Sequence, residues 1–228
     1  MIAFLDKIAD RLLNKFPVSM EGVAVVLPSK RAVVFLKHYL SQKIKQPIFL
    51  PDFYSIEEFT EKLSGLTLLD NISLQFKLYQ SYLTFPPKKI DSFDDFLSWS
   101  NVLLHDFNEI DRNLVDARSI YTNLKNVKEL EDWSVDNWSL AEDNLSNMQL
   151  DYISFFEGML SWYTCFNDSL LEEKLAYQGM AYKFAAKKIS TAQLKWNKVW
   201  FVGLNALTKS EQEIIDYLKK EDIARVFW

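Results

Sequence analysis

"GVAVVLPSKRAVVFLKHYL", residues 22–40, changes character once, at Pro28. Before it, Gly22 and Pro28 bracket a continuous apolar run that is short enough for a buried strand and does not alternate. After it, Ser29 can accept a hydrogen bond from a free backbone N–H, making it the N-cap of a helix over about 30–42. Val33, Leu36 and Leu40 fall on one side of that helix. In nucleotide-binding α/β domains the turn between such a strand and helix is where phosphate is held. This turn has no glycine.

Working outward, "MIAFLDKIADRLLNKF" puts Leu5, Ile8 and Leu12 on one face of an opening helix, about 2–15. "PIFLPDF" (47–53) reads as a second short strand, and Ser55 with Glu58 forms a capping box opening a helix with Ile56, Phe59 and Leu63 inward. From about 70 to 190 strand signals vanish. Ile72, Phe76, Tyr79 and Leu83 make one helical stripe; Phe93, Phe96, Ser100, Leu103 and Phe107 make another. "DYISFFEGMLSWYTCFNDSLL" (151–171) reads as a long, central helix, and residues 126–149 as a polar loop or short-helix connector. Strand character returns at "KVWFVG" (198–203). A second capping box follows, Thr208 to Glu211, with Ile214, Ile215 and Leu218 on its helix; the chain stops at "IARVFW". Because that last run reads as a core strand, the segment is expected to be the N-terminal piece of a longer protein.

Strands alternating with helices predict an α/β fold with a parallel sheet flanked by helices and a large all-helical insertion. The expected division is 1–66 with 191–228 for the α/β part and 67–190 for the insertion. Composition agrees: 49% hydrophobic residues supply a core, and only 5 Gly and 6 Pro disfavour a turn-rich all-β fold. A net charge of -5 argues against whole-surface polyanion binding. The single Cys165 excludes an internal disulfide and a cysteine-rich metal site. No apolar run reaches the roughly 20 residues needed to span a bilayer, and the N-terminus does not read as a signal peptide. A cytoplasmic location is expected.

The candidate chemistry is thin. A phosphate loop needs glycines followed by Lys and Ser/Thr, and none of the five glycines precedes a lysine. Ser29, Lys30 and Arg31 keep a polar helix start able to touch phosphate or a DNA backbone. After "VWFV" come Gly203, Leu204 and Asn205, where a hydrolase would place magnesium-binding acids. Asp52 and Glu172–Lys174 imitate a metal-nuclease signature by chance, since the second part lies at a helix end. Asp106, Glu109 and Asp111, with His105 nearby, are too few on one helical face for a metal and read as a solvated face or one for docking a basic partner. His38 reads as a surface histidine and Cys165 as a buried thiol. No catalytic residue, metal or cofactor is expected.

Taken in order, "VVLPSKRA", "IFLPDFYSIEEFTEKL", "DSFDDFLSWSNVLLHDFNEIDRNLVDA" and "VWFVGLNALTKSEQEIIDYL" resemble the N-terminal region of AddB/RexB-type helicase–nuclease subunits of the Bacteroidetes type, which carry a C-terminal PD-(D/E)XK nuclease domain. The resemblance implies a degenerate, RecA-like (P-loop NTPase-like) first domain of a superfamily 1 helicase, interrupted by helices. It implies a role in recombinational DNA repair as a noncatalytic scaffold, with an AddA-like motor subunit and single-stranded or end-bound DNA as partners. By position it places Ser29, Lys30 and Arg31 at the phosphate loop, Phe53, Tyr54 and Ser55 near a single-stranded DNA contact, and Gly203–Asn205 at the magnesium motif. Two other readings stay open: a nucleotide-binding domain with an unconventional phosphate loop, and a protein-interaction module without DNA contact.

Overall fold

The computed structural model describes residues 3–122 and 147–228, so most of the connector expected over 126–149 lies outside the described residues. The chain forms two compact units: Met1–Gly65 with Phe184–Trp228, and Leu66–Lys183.

The first unit is an α/β layer structure. Its elements in chain order are α1 (Phe4–Lys15), β1 (Val23–Leu27), α2 (Lys30–Lys43), β2 (Asp52–Ser55) and α3 (Ile56–Ser64). The second unit contributes β3 (Thr67–Leu68), α4 (Asn71–Thr84), α5 (Phe93–Arg112), α6 (Asn147–Glu172) and β4 (Leu175–Ala176). Then α7 (Gln178–Lys188) leads back to β5 (Lys198–Val202), α8 (Lys209–Lys220) and β6 (Ala224–Phe227) of the first unit.

The sheet of the first unit has the order β2-β1-β5-β6, every pair parallel. Val25 sits opposite Phe53 on one side and Trp200 on the other. All five residues of β1 are buried, as a central parallel strand covered on both faces requires. Val23, Val25, Leu27, Trp200 and Val202 pack with Ile8, Ala9 and Leu12 of α1 and Val33, Leu36 and Leu40 of α2. On the opposite face Phe201 meets Phe59 of α3 edge-on, ring centres 5.6 Å apart.

In the second unit α4 packs against α5 and α6. Tyr82, Phe96, Trp162, Phe107, Phe166 and Tyr182 are among its large buried side chains, and the Trp162 indole N–H donates to the Phe85 carbonyl at 2.7 Å.

Three expectations need correction. The second strand begins at Asp52 rather than Pro47, because Pro47 and Pro51 cannot donate to a ladder; only Phe49 makes an isolated bridge, to Ser19. The α4 stripe is largely exposed rather than the buried face: Ile72 is 71% exposed and Phe76 53%, with Tyr79 half-buried against Phe96, whereas Leu74, Leu78 and Tyr82 are inward. The polar Gln75 joins them because its side-chain oxygen accepts from the buried Ser100 hydroxyl at 2.6 Å. Finally, the helical stretch contains a parallel strand pair, Thr67–Leu68 with Leu175–Ala176, too short to leave a periodic signal.

Candidate functional site

In an open parallel sheet, ligands bind outside the carboxyl ends of the strands where the order reverses. Here β2 lies on one side of β1 and β5 on the other, so the reversal falls between the loop after β1 and the loop after β5.

The first loop is closed on itself. The Ser29 hydroxyl accepts from the Ala32 N–H at 3.3 Å, serving as the N-cap of α2. Lys30 Nζ lies 3.0 Å from Glu58 Oε1. Glu58 in turn accepts from the Ser55 N–H at 3.0 Å, completing the capping box at the β2–α3 corner. That N–H, opposed by burial and helped by Lys30, holds the Glu58 carboxyl below its ordinary range, while the bond to Glu58 raises Lys30. The lysine that begins α2 therefore pairs, at the surface, with a carboxylate from the neighbouring strand–helix corner. Arg31 is exposed and makes no ion pair among the described residues.

The second loop begins against α1. Gly203 has φ +66, and a Cβ built there would lie 3.3 Å from the Phe4 ring of α1. Leu204 is buried and Asn205 exposed. Thr208 and Glu211 form the expected capping box at the start of α8, with the Thr208 N–H donating to Glu211 at 2.7 Å.

Phe53, Tyr54 and Ser55 do not form one contact surface. Alternation along β2 sends Phe53 toward the α1/α2 face, beneath Lys37 at 5.1 Å from its ring centre. Tyr54 goes to the other face, against Phe59 and Trp196, with Lys62 at 5.7 Å. Ser55 is 2% exposed and its hydroxyl is used by the capping box, so its side chain is withdrawn from the proposed DNA contact.

The acidic set also separates. Asp106 is exposed and Glu109 half-buried, where it accepts from the Asn113 side chain. Asp111 is 1% exposed and belongs to the core, which corrects its assignment to a docking face. It accepts from the Tyr163 and Tyr177 hydroxyls and from Lys183 Nζ at 2.7 Å; Lys183 also reaches the Tyr163 oxygen at 2.8 Å. Burial first, and the Asp111 charge second, push both tyrosines well above their ordinary value, so they remain donors. The i, i+5 spacing from Asp106 to Asp111 was the available sign that these two acids point to different sides of α5.

A concavity of about 790 Å³ lies instead at the amino ends of the strands, lined by Ser19, Glu21, Phe49, Asp52, Lys195 and Trp196 among others. Asp52 there accepts from the Trp196 indole N–H at 2.7 Å and pairs with Lys195 at 2.8 Å. Burial pushes the Asp52 carboxyl up, but Lys195 and Trp196 outweigh it and hold the group below its usual range. At the carboxyl ends, by contrast, two capped helix starts and the strand-order reversal converge, which is where open parallel sheets bind ligands. The amino-end partners of Asp52 come from far along the chain and had no local signal.

Cys165 is half-buried rather than buried, and His38 is exposed beside Gln42. Among the described residues no three His, Cys, Asp or Glu side chains are grouped to hold a metal, and no helix is long and apolar enough to cross a membrane. No family model matches the chain, and no curated protein matches it.

Proposed function

We propose that the chain is a noncatalytic, helicase-like scaffold of a cytoplasmic nuclease that processes DNA double-strand breaks, its first unit a degenerate RecA-like domain. The reading joins the likeness to AddB/RexB-type subunits with the parallel sheet and its helical insertion. The observation that carries it is the Lys30–Glu58 pair. A nucleotide-hydrolysing loop presents its lysine and backbone N–H groups to phosphate. Here the lysine pairs on the surface with a carboxylate that also caps the next helix, and the neighbouring loop starts at a glycine against the Phe4 ring and carries no acid before Glu211. Both loops work as joints of the fold, as a scaffold for a motor subunit and a DNA strand requires. Arg31 and Lys37 are the cations in this region most suited to a DNA backbone.

Titration calorimetry with magnesium-ATP tests this. The expected result is no saturable heat. Tight binding abolished by Lys30→Ala would overturn the scaffold reading in favour of an unconventional phosphate loop. For the DNA role, single-stranded oligonucleotide binding should weaken steeply with salt and on Arg31→Ala.

A further inference from the structure

We propose that the outward face of α2 receives the outward face of α5 from a second copy of this chain. The inference is independent of the helicase-like reading and rests on two complementary surfaces.

The α2 helix carries Lys30, Arg31, Lys37 and Lys43 and no acid. Two of these cations have partners within their own chain: Lys30 with Glu58, and Lys43 with Asp6 and Asp10. Outward, at helical spacing, run Arg31, Val34, Phe35 and His38. Val34 is 65% exposed and Phe35 52%, so an apolar centre lies between a guanidinium and an imidazole.

On α5 the residues Asp95, Ser98, Val102 and Asp106 recur every three or four positions and are all exposed. Val102, at 65% exposure, is the apolar centre, with an acid on either side of it along the line. Neither Asp95 nor Asp106 makes an ion pair among the described residues. Each line thus offers what the other lacks: exposed aliphatic or aromatic area in the middle, with the Arg31 guanidinium at one end of the α2 line and the Asp95 and Asp106 carboxylates at the ends of the α5 line. Opposite potentials steer such faces together and set their register, while the apolar centres supply the contact.

The contact closes as a two-fold dimer where α2 and α5 of one copy meet α5 and α2 of the same partner, and runs on to larger assemblies where they meet different neighbours. Sedimentation of the whole chain over a wide concentration range should show an average mass that climbs with concentration at low salt and falls back at high salt. Arg31→Glu and Asp106→Arg, both at exposed positions, should each weaken association about tenfold. The double variant Arg31→Glu/Asp106→Arg should restore it, because the charges are exchanged between the faces. Monomer mass at every concentration would overturn the proposal, as would a double variant that associates no better than either single one.

Discussion

The backbone N–H of Gly179 donates to the side-chain oxygen of Asn108 at 2.6 Å, and no side chain fits between the two residues. Gly179 is the second residue of α7, so Asn108 of α5 satisfies a donor that the helix start leaves free. A Cβ on Gly179 would lie 2.2 Å from the Asn108 carbonyl oxygen, and backbone cannot swing aside as a side chain can.

Gly179→Ala should therefore lose stability although alanine is the better helix former. The expected loss is about 2 kcal/mol or more, an overpacking cost exceeding the roughly 1 kcal/mol gained in propensity. Asn108→Ala, which removes only the cap, should cost about 1 kcal/mol. Urea unfolding of both variants checks the order.

Asp111 gathers donors from α6, from the residue before α7 and from α7 itself. Asp111→Ala strands the Lys183 ammonium beside two hydroxyls and should cost about 3–5 kcal/mol. Lys183→Met leaves the carboxylate its two tyrosine donors and should cost less. The double variant should cost clearly less than the sum of the singles, since the groups form one network. A strictly additive cycle would show that they act independently.

Glu58 gives a pH signature. Its carboxyl is held below the ordinary 4.5 in the folded chain, first by the Ser55 N–H and then, against burial, by Lys30. A depressed carboxylate adds stability that is fully present above the unfolded value and is lost as pH falls through the folded one. Wild type should accordingly lose stability as acid is added from just above pH 4.5 downward. Glu58→Gln should be less stable at neutral pH and flatter across that window. Urea midpoints measured through it would expose an unchanged slope, which would contradict the assignment.

Gly203 stands at φ +66 with the Phe4 ring against it. Gly203→Ala should cost about 1–2 kcal/mol from the left-handed backbone alone. Combining it with Phe4→Ala should recover only the part due to contact. Thermal unfolding of the three variants separates the two contributions.

How far the sequence could be read depended on how local each signal was. β1 and β5 announce themselves because central parallel strands are apolar along nearly all their length. The caps at Ser29, Ser55 and Thr208 were legible because an N-cap acts over three residues. The buried face of α4 left no such sign: Gln75 is buried through Ser100 of another helix, and no periodicity in α4 alone reveals that. Of the candidate site, the positions of Ser29 and Lys30 were foreseen but not the Glu58 that occupies Lys30. That acid was visible only as half of a capping box. Asp111 looked like one more acid in a run because its partners, Tyr163, Tyr177 and Lys183, lie far along the chain.

The two-residue pairing of β3 with β4 bears on how such a chain is assembled. Thr67–Leu68 and Leu175–Ala176 are near the two ends of the helical unit, and pairing holds them one strand spacing apart, about 4.8 Å. A segment whose ends already meet can be enlarged, trimmed or exchanged without changing the gap its host must bridge. The entropic cost of closing it grows only with the logarithm of its length. The chain between Leu68 and Leu175 thus starts and finishes one strand spacing apart, so a change in its length leaves the two flanking strands where they are.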